Sequence, residues 1–242
     1  MCDRTMIRRR SAWCNLLAEG IDLRNEGHVI ISGSRFELRY QLVSLRMRNP
    51  EITRETILRK SGVLFNSQGY KATSISDITD ATGFTKGAIY RHFASKDVLE
   101  METLLHLSSF MFERLRERIK EEVTAGNKLR AVFRYFESYI TDPPVKGGCP
   151  LMNAAIEVDD SNPPLRKAAL KILNTLRASI VTMLSNGIRH KQIRPGIDKE
   201  FYATLIVASL EGAIMMSKLS NSNDDIRRVT RHLEIQLQEI EL

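Results

Sequence analysis

Three cysteines in 242 residues, an odd number without metal-ligand spacing, give this chain no disulfide framework to build on. Cys2, Cys14 and Cys149 point instead to a reducing cytoplasm. The five histidines, His28, His92, His106, His190 and His232, are scattered, and no HExxH pair, glycine-rich phosphate loop or serine elbow accompanies them. Catalysis, a metal and a cofactor therefore have no footing in the sequence. No stretch approaches the roughly 18 consecutive apolar residues of a membrane helix. The arginine-rich start (Arg4, Arg8, Arg9, Arg10) precedes SAWCNLLAEGID, which is too short and too polar for a signal-peptide core. A soluble, cytoplasmic, non-enzymatic protein without a membrane partner is expected. The acidic run Glu157-Val158-Asp159-Asp160 is the one candidate metal or acid/base cluster, and it reads better as the solvated end of a short helix before SNPP.

What is present begins with charge. The net charge is +7 and the pI about 9.4, which suits a polyanionic partner. Residues 1 to 50 hold 9 Lys+Arg against 5 Asp+Glu, so more than half the surplus sits in the first fifth of the chain. Net charge alone is thus weak grounds for nucleic-acid binding, and the positions of particular cations have to decide.

From Thr53 onward apolar residues recur at helical spacing, and the class is all-α. The spacing predicts nine helices: 53–68, stopped by Gly69; two short ones; a long one from Ser95 to about Glu122; 127–140; a short one from Pro150; a long one to Gly187; 199–218; and a last one opening at Ser222 with Asp225 as its capping partner. Residues 1–46 do not fit. Their local alternation Phe36, Leu38, Tyr40, Leu42 suggests a strand with no sheet to join. This extension is expected to be a disordered basic arm or to precede a true start at Met47. The second expectation is favoured, because the segment has no coherent face to bury.

In the segment TGFTKGAIYRHFASKD, residues 82 to 97, the chemistry concentrates. Ser74 and Asp77 form a capping box, so a helix of about two turns begins there, with Ile75, Ile78 and Ala81 inward. Gly83 can end it in the left-handed conformation, and Thr85 caps the next helix two residues later, which makes a helix-turn-helix. The first turn of the second helix in such a unit meets base edges in the major groove. Here that turn is Thr85, Lys86, Gly87 and Ala88: two hydrogen-bonding side chains, a residue small enough for close approach, and a methyl suited to thymine. Tyr90, Arg91 and His92 are placed for phosphates, with the Tyr90 ring in the core and only its hydroxyl outward. Lys96 stands at a helix start, where the macrodipole disfavours a cation unless an anion arrives.

These residues carry a family resemblance. ILRKSGVLFNSQGYKATSISDITDATGFTKGAIYRHFASKDVLE resembles the DNA-binding domain of TetR/AcrR-type transcriptional regulators: Gly69-Tyr70 with Thr73, then Gly83, Lys86-Gly87-Ala88, Tyr90-x-His92-Phe93 and Lys96. Nine helices and a divergent second half are also similar to that family. The resemblance implies a helix-turn-helix domain over 47–98 and a helical effector-binding and dimerisation domain over 99–242. It implies that Thr85, Lys86 and Gly87 lie in the groove while Ser74, Tyr90, His92 and Lys96 hold phosphates of double-stranded operator DNA. Ser61, Gly62 and Thr79 depart from the alanines usual there, which touches packing rather than the DNA face.

The resemblance further implies that the last two helices pair with a second copy. Phe201, Leu205, Ser209, Gly212, Ala213 and Met216, with Val229, Leu233 and Leu237 of the final helix, are the candidate dimer face. Met101, Leu105, Met111, Phe133, Phe136, Tyr139, Met152, Met183 and Met215 are candidates for an adaptable pocket holding a small apolar or amphipathic effector, and each also suits ordinary core. Cys149, between a flexible Gly147-Gly148 and a natural helix start at Pro150, is expected at an N-cap. A thiol there can have a lowered pKa and sense electrophiles or oxidants; the alternative is a small buried hydrophobe. The function expected is a ligand-responsive regulator, a repressor more readily than an activator, with a redox sensor acting through Cys149 or a helical-bundle enzyme as rival readings. Effector binding would reach the DNA domain through the long fourth helix.

Overall fold

Apolar residues three and four apart with caps between them dictate helices, and nine are seen in the computed structural model, which describes residues 49–158 and 162–242. They are α1 (Pro50–Gln68), α2 (Ile75–Thr82), α3 (Lys86–His92), α4 (Lys96–Lys120), α5 (Ala125–Glu137), α6 (Pro150–Glu157), α7 (Pro163–Arg189), α8 (Lys199–Ser220) and α9 (Asp224–Ile240). The proposed arm 1–46, with its alternating segment, Cys2, Cys14 and His28, lies outside the described residues, as do Asp159 and Asp160. Arg54–Leu242 forms one unit, and the rest of this description concerns it.

The caps explain most of the boundaries. Side-chain oxygens of Ser74, Thr85, Ser95, Thr124, Asn162 and Asp198 each accept a backbone N–H of the helix they open. Such a cap is worth about 1 kcal/mol over alanine. Helix α9 departs from expectation: it starts at Asp224 after Asn223, without a side-chain cap bond. Ser222 is spent on the turn, where its Oγ accepts the Asp224 N–H at 3.1 Å, and Asn221 before it is left-handed.

Helix α7 packs against α4, α5, α6 and α8, while α9 lies on α5 and α8. Leu129, Leu165, Leu184, Ile214 and Ile226 are at most 1% exposed at the centre of this bundle. Phe136 and Tyr139 stack, Tyr135 meets both edge-on, all with centroids 5.5–5.6 Å apart, and the Tyr135 hydroxyl donates to the Met111 carbonyl at 3.2 Å. Burial pushes the Tyr135 phenol up to about 12. The end of α9 is tied down by charge: Arg130 on α5 donates to Glu234 at 2.7 Å and grips both oxygens of Glu241 at 2.8 and 2.6 Å.

Helix α8 behaves differently from the sequence expectation of no membrane-length segment. By length and composition it could cross a membrane. Here one side of it, Ala203, Ile206, Val207, Leu210, Ala213, Ile214 and Ser217, is buried in the bundle, while Phe201, Met215, Met216 and Leu219 are exposed at 58, 43, 48 and 81%.

Candidate nucleic-acid interface and effector cavity

The helix-turn-helix is assembled by local chemistry. The Ser74 hydroxyl accepts the Asp77 N–H at 3.2 Å and the Asp77 carboxylate accepts the Ser74 N–H at 2.7 Å; the same Ser74 hydroxyl holds that carboxyl below its usual range. Gly83 ends α2 at φ 76°, a conformation costly for any residue with a Cβ, and its N–H returns to the Thr79 carbonyl at 2.8 Å. Ile78, Ile89 and Phe93, at most 1% exposed, tie α2 and α3 into the hydrophobic core.

What remains outside is the first turn of α3. Thr85, Lys86 and Gly87 are exposed, and Ala88 is half-buried. Thr85 Oγ1 accepts the Ala88 N–H at 3.2 Å as the cap, which leaves its hydroxyl proton and a second lone pair for another partner. The space where a Cβ on Gly87 would stand is open, so nothing in the chain itself requires a glycine there. Tyr90 differs from expectation: its ring is 39% exposed rather than in the core, with the Lys86 ammonium 5.9 Å from its centroid. The ring is thereby a platform that carries the lysine outward. Arg91 is exposed and His92 half-buried; partial burial, then Arg54 and Arg91, hold His92 below its ordinary pKa.

Lys96 is turned inward. Its ammonium donates to the Tyr70 carbonyl at 2.9 Å and lies 3.0 Å from Glu100, which itself accepts from Asn162 at 2.5 Å. The dipole objection to a cation at this helix start is met by the chain's own carboxylate, whose pKa is raised by burial and pulled back by Lys96. A phosphate would have to share this lysine with two partners already in place.

A second set of contacts joins the α1–α2 loop to the bundle through α6. Glu157, at the end of α6, accepts the backbone N–H groups of Tyr70 at 3.0 Å and Lys71 at 2.9 Å. Asn66 donates to the carbonyls of Lys146 and Gly148, and Asn153 of α6 donates back to Asn66. Gly147, at φ 111°, makes that approach possible, since a Cβ there would meet the Asn66 carbonyl at 2.1 Å. The sequence points to the long fourth helix, α4, as a link; α6 is another, and Glu157 at its end holds backbone amides rather than facing only solvent.

Between α4, α5, α7 and α8 lies a cleft of about 950 Å³, walled by Phe112, Leu115, Ile119, Leu176, Ile180 and Leu210 among others, with Arg116, Lys167 and Lys171 also lining it. Of the pocket residues expected from sequence it contains Phe136 and Met183. Met152 lines an adjoining cavity of about 590 Å³, and Phe133 a polar one of about 290 Å³. Met111, Phe133 and Tyr139 are core, Met101 and Leu105 pack against it half-buried, and Met215 is exposed on α8. Methionine and aromatic content could not separate cleft from core, because both are made from the same helix stripes. Glu211, which lines both larger cavities, was missed, although a lone carboxylate amid the apolar residues of α8 was a signal that could have found it.

Cys149 does sit at the N-cap of α6, but as a buried thiol. It is 0% exposed, its Sγ donates to Glu211 at 3.1 Å, and burial together with that carboxylate pushes its pKa well above the ordinary value. The lowered pKa expected at a helix start is overridden by desolvation. Among the described residues no group of three or more acidic, histidine or cysteine side chains could hold a metal.

The dimer candidates also divide. Phe201 and Met216 are exposed, and Leu205, Ser209, Gly212 and Val229 are partly so. Ala213, Leu233 and Leu237, at 1, 2 and 4% exposed, are corrected: they are buried within their own chain, because the single stripe of α9 is needed to hold it on α5 and α8.

Residues 57–100 match the model of bacterial regulatory proteins of the tetR family, and residues 125–233 that of the tetracyclin repressor-like C-terminal domain. A TetR transcriptional regulator from Chloroflexus aurantiacus is 35% identical, superimposes with a TM-score of 0.77, and is covered over 99% of its chain and 81% of this one. The HTH-type transcriptional repressor DhaR of Mycobacterium sp. (strain GP1) is 22% identical over 72% of this chain and 86% of its own. The regulator CifR, in a cysteine mutant complexed with 26-bp double-strand operator DNA, shares the fold at TM-score 0.68 and 20% identity, over 77% of this chain and 95% of its own. With a helix-turn-helix whose outer turn is bare and a helical second half that matches in fold, this chain belongs to the TetR family of transcriptional regulators.

Proposed function

We propose that the protein is a cytoplasmic, dimeric repressor whose α3 helices enter successive major grooves of a near-palindromic operator and are displaced by a small apolar or amphipathic effector. The observation that carries the DNA reading is the bare first turn of α3, with Lys86 held outward over Tyr90 and open space at Gly87. In this reading Thr85, Lys86, Gly87 and Ala88 face base edges, Ser74, Tyr90, Arg91 and His92 hold phosphates, and Lys96 gives at most a shared contact. The domains run over 47–98 and 99–242.

The unpartnered apolar face of α8 supports the dimer: Phe201, Met215, Met216 and Leu219 are large and exposed together, and Gly212 beside them has open space at its Cβ position, so a second helix can approach closely. On α9 Ile235 is also exposed, at 49%. Two recognition helices so paired would stand roughly 34 Å apart, one helical turn of DNA. The 950 Å³ cleft is the effector site, and binding there would act on the DNA part through α4 and through the Glu157 contacts of α6.

Selection of bound DNA with the purified protein, followed by footprinting, tests this. A two-fold site with half-site centres about one helical turn apart is expected. Binding without any sequence preference would overturn the reading.

A further inference from the structure

Glu211 is a carboxylate in an apolar place with half its hydrogen bonding unmet. It projects from the middle of α8 and lines both the 950 Å³ cleft and the adjoining 590 Å³ cavity. One oxygen, Oε1, accepts from the Cys149 thiol at 3.1 Å; the other, Oε2, is shut off from solvent without a partner. A thiol is a weak donor, and an unsatisfied buried carboxylate oxygen is costly to keep. The remaining polar side chains of the cleft that bear charge, Arg116, Lys167 and Lys171, are all cationic. They disfavour a cationic ligand and leave a neutral donor as the chemistry that suits Glu211.

We propose that Glu211 is the polar anchor of the effector cavity and that it selects an apolar molecule carrying a hydroxyl, an alcohol or a phenol, whose O–H it accepts in place of the Cys149 thiol. This rests on the cleft being the effector site. Ligand binding turns the Glu211 carboxylate from the α6 N-cap into the cleft, and the apolar walls take the body of the ligand. Because Cys149 opens α6 and Glu157 closes it, the exchange also releases one end of the helix whose other end holds Tyr70 and Lys71.

The test is calorimetric titration of the full-length protein with three probes that share one apolar body: 2-naphthol, 2-methoxynaphthalene and the ammonium form of 2-naphthylmethylamine. The expected result is that the naphthol binds about tenfold more tightly than the methoxy ether, a difference of about 1.4 kcal/mol, and more tightly than the ammonium. With circular dichroism reporting that the variant keeps its helicity, Glu211→Leu should abolish the preference for the naphthol over the ether. Glu211→Gln, which keeps one acceptor oxygen, should retain part of it. Equal binding of naphthol and ether by the wild type would overturn the anchor and leave the cleft as an effector site. A tighter ammonium would overturn the choice of a neutral hydroxyl. If no probe binds, the effector reading of the cleft falls, and the anchor falls with it.

Discussion

At the scale of single residues, Gly87 separates folding from recognition. It lies inside α3, where alanine is favoured over glycine by up to about 1 kcal/mol, and the space around its Cβ position is open. Gly87→Ala is therefore expected to raise the melting temperature slightly and to weaken operator binding at least several-fold, as measured by thermal unfolding and fluorescence anisotropy side by side. If operator affinity is unchanged, this turn does not sit close against DNA. Glu211 separates pH effects in the same way. Its pKa is raised in the folded protein, chiefly by burial, so the folded state binds the proton more tightly than the unfolded chain. The folded state is favoured most below the unfolded carboxyl value near 4.5, and this advantage is lost as pH climbs from there toward the raised folded value. Glu211→Gln lacks the penalty, so its melting temperature relative to wild type should increase as pH rises from about 4.5 through the raised folded value. A constant difference across that range would show that Glu211 ionises in the fold as it does in water.

At the scale of elements, α6 is the short helix on which the two functional regions meet. Its N-cap thiol donates to Glu211, which lines the proposed effector cavity, and its last carboxylate holds two backbone amides of the α1–α2 loop. Glu157→Ala should cost about 1–3 kcal/mol, since hydrogen bonds to a charged acceptor are lost and two N–H groups are left to water. Faster amide hydrogen exchange at Tyr70 and Lys71, with little change at Leu129 in the bundle core, is the measurement that checks it. Uniform acceleration across the chain would make Glu157 merely a stabilising residue. This role was not legible in the sequence, where Glu157 reads as the start of a solvated acidic run. Burial of that kind depends on a loop more than eighty residues away, and no local pattern reports it. The capping box of Ser74 and Asp77, by contrast, was legible, because both partners and the N–H groups they satisfy lie within four residues.

At the scale of the whole molecule, the exposed side of α8 is the proposed interface with a second copy. Met216→Asp would place a charge on a face that a second copy is expected to cover, without touching the buried side of the helix. The variant should sediment as a monomer in which helicity is kept, and it should bind the operator at least tenfold more weakly, since both half-sites no longer act together. Unchanged sedimentation would place the interface elsewhere. Sequence by itself determined the nine helices, the helix-turn-helix and which residues form its outer turn, because periodicity, caps and turns are local and act over one or two helical turns. Only the tertiary structure decided the rest. It turned Lys96 onto Tyr70 and Glu100, used Ala213, Leu233 and Leu237 for the chain's own core, buried Cys149, and left Glu211 Oε2 unsatisfied beside a cavity. The reason is physical: a helical stripe fixes that a residue is buried, but what it is buried against depends on how distant helices cross, and desolvation and hydrogen-bond satisfaction follow from that crossing.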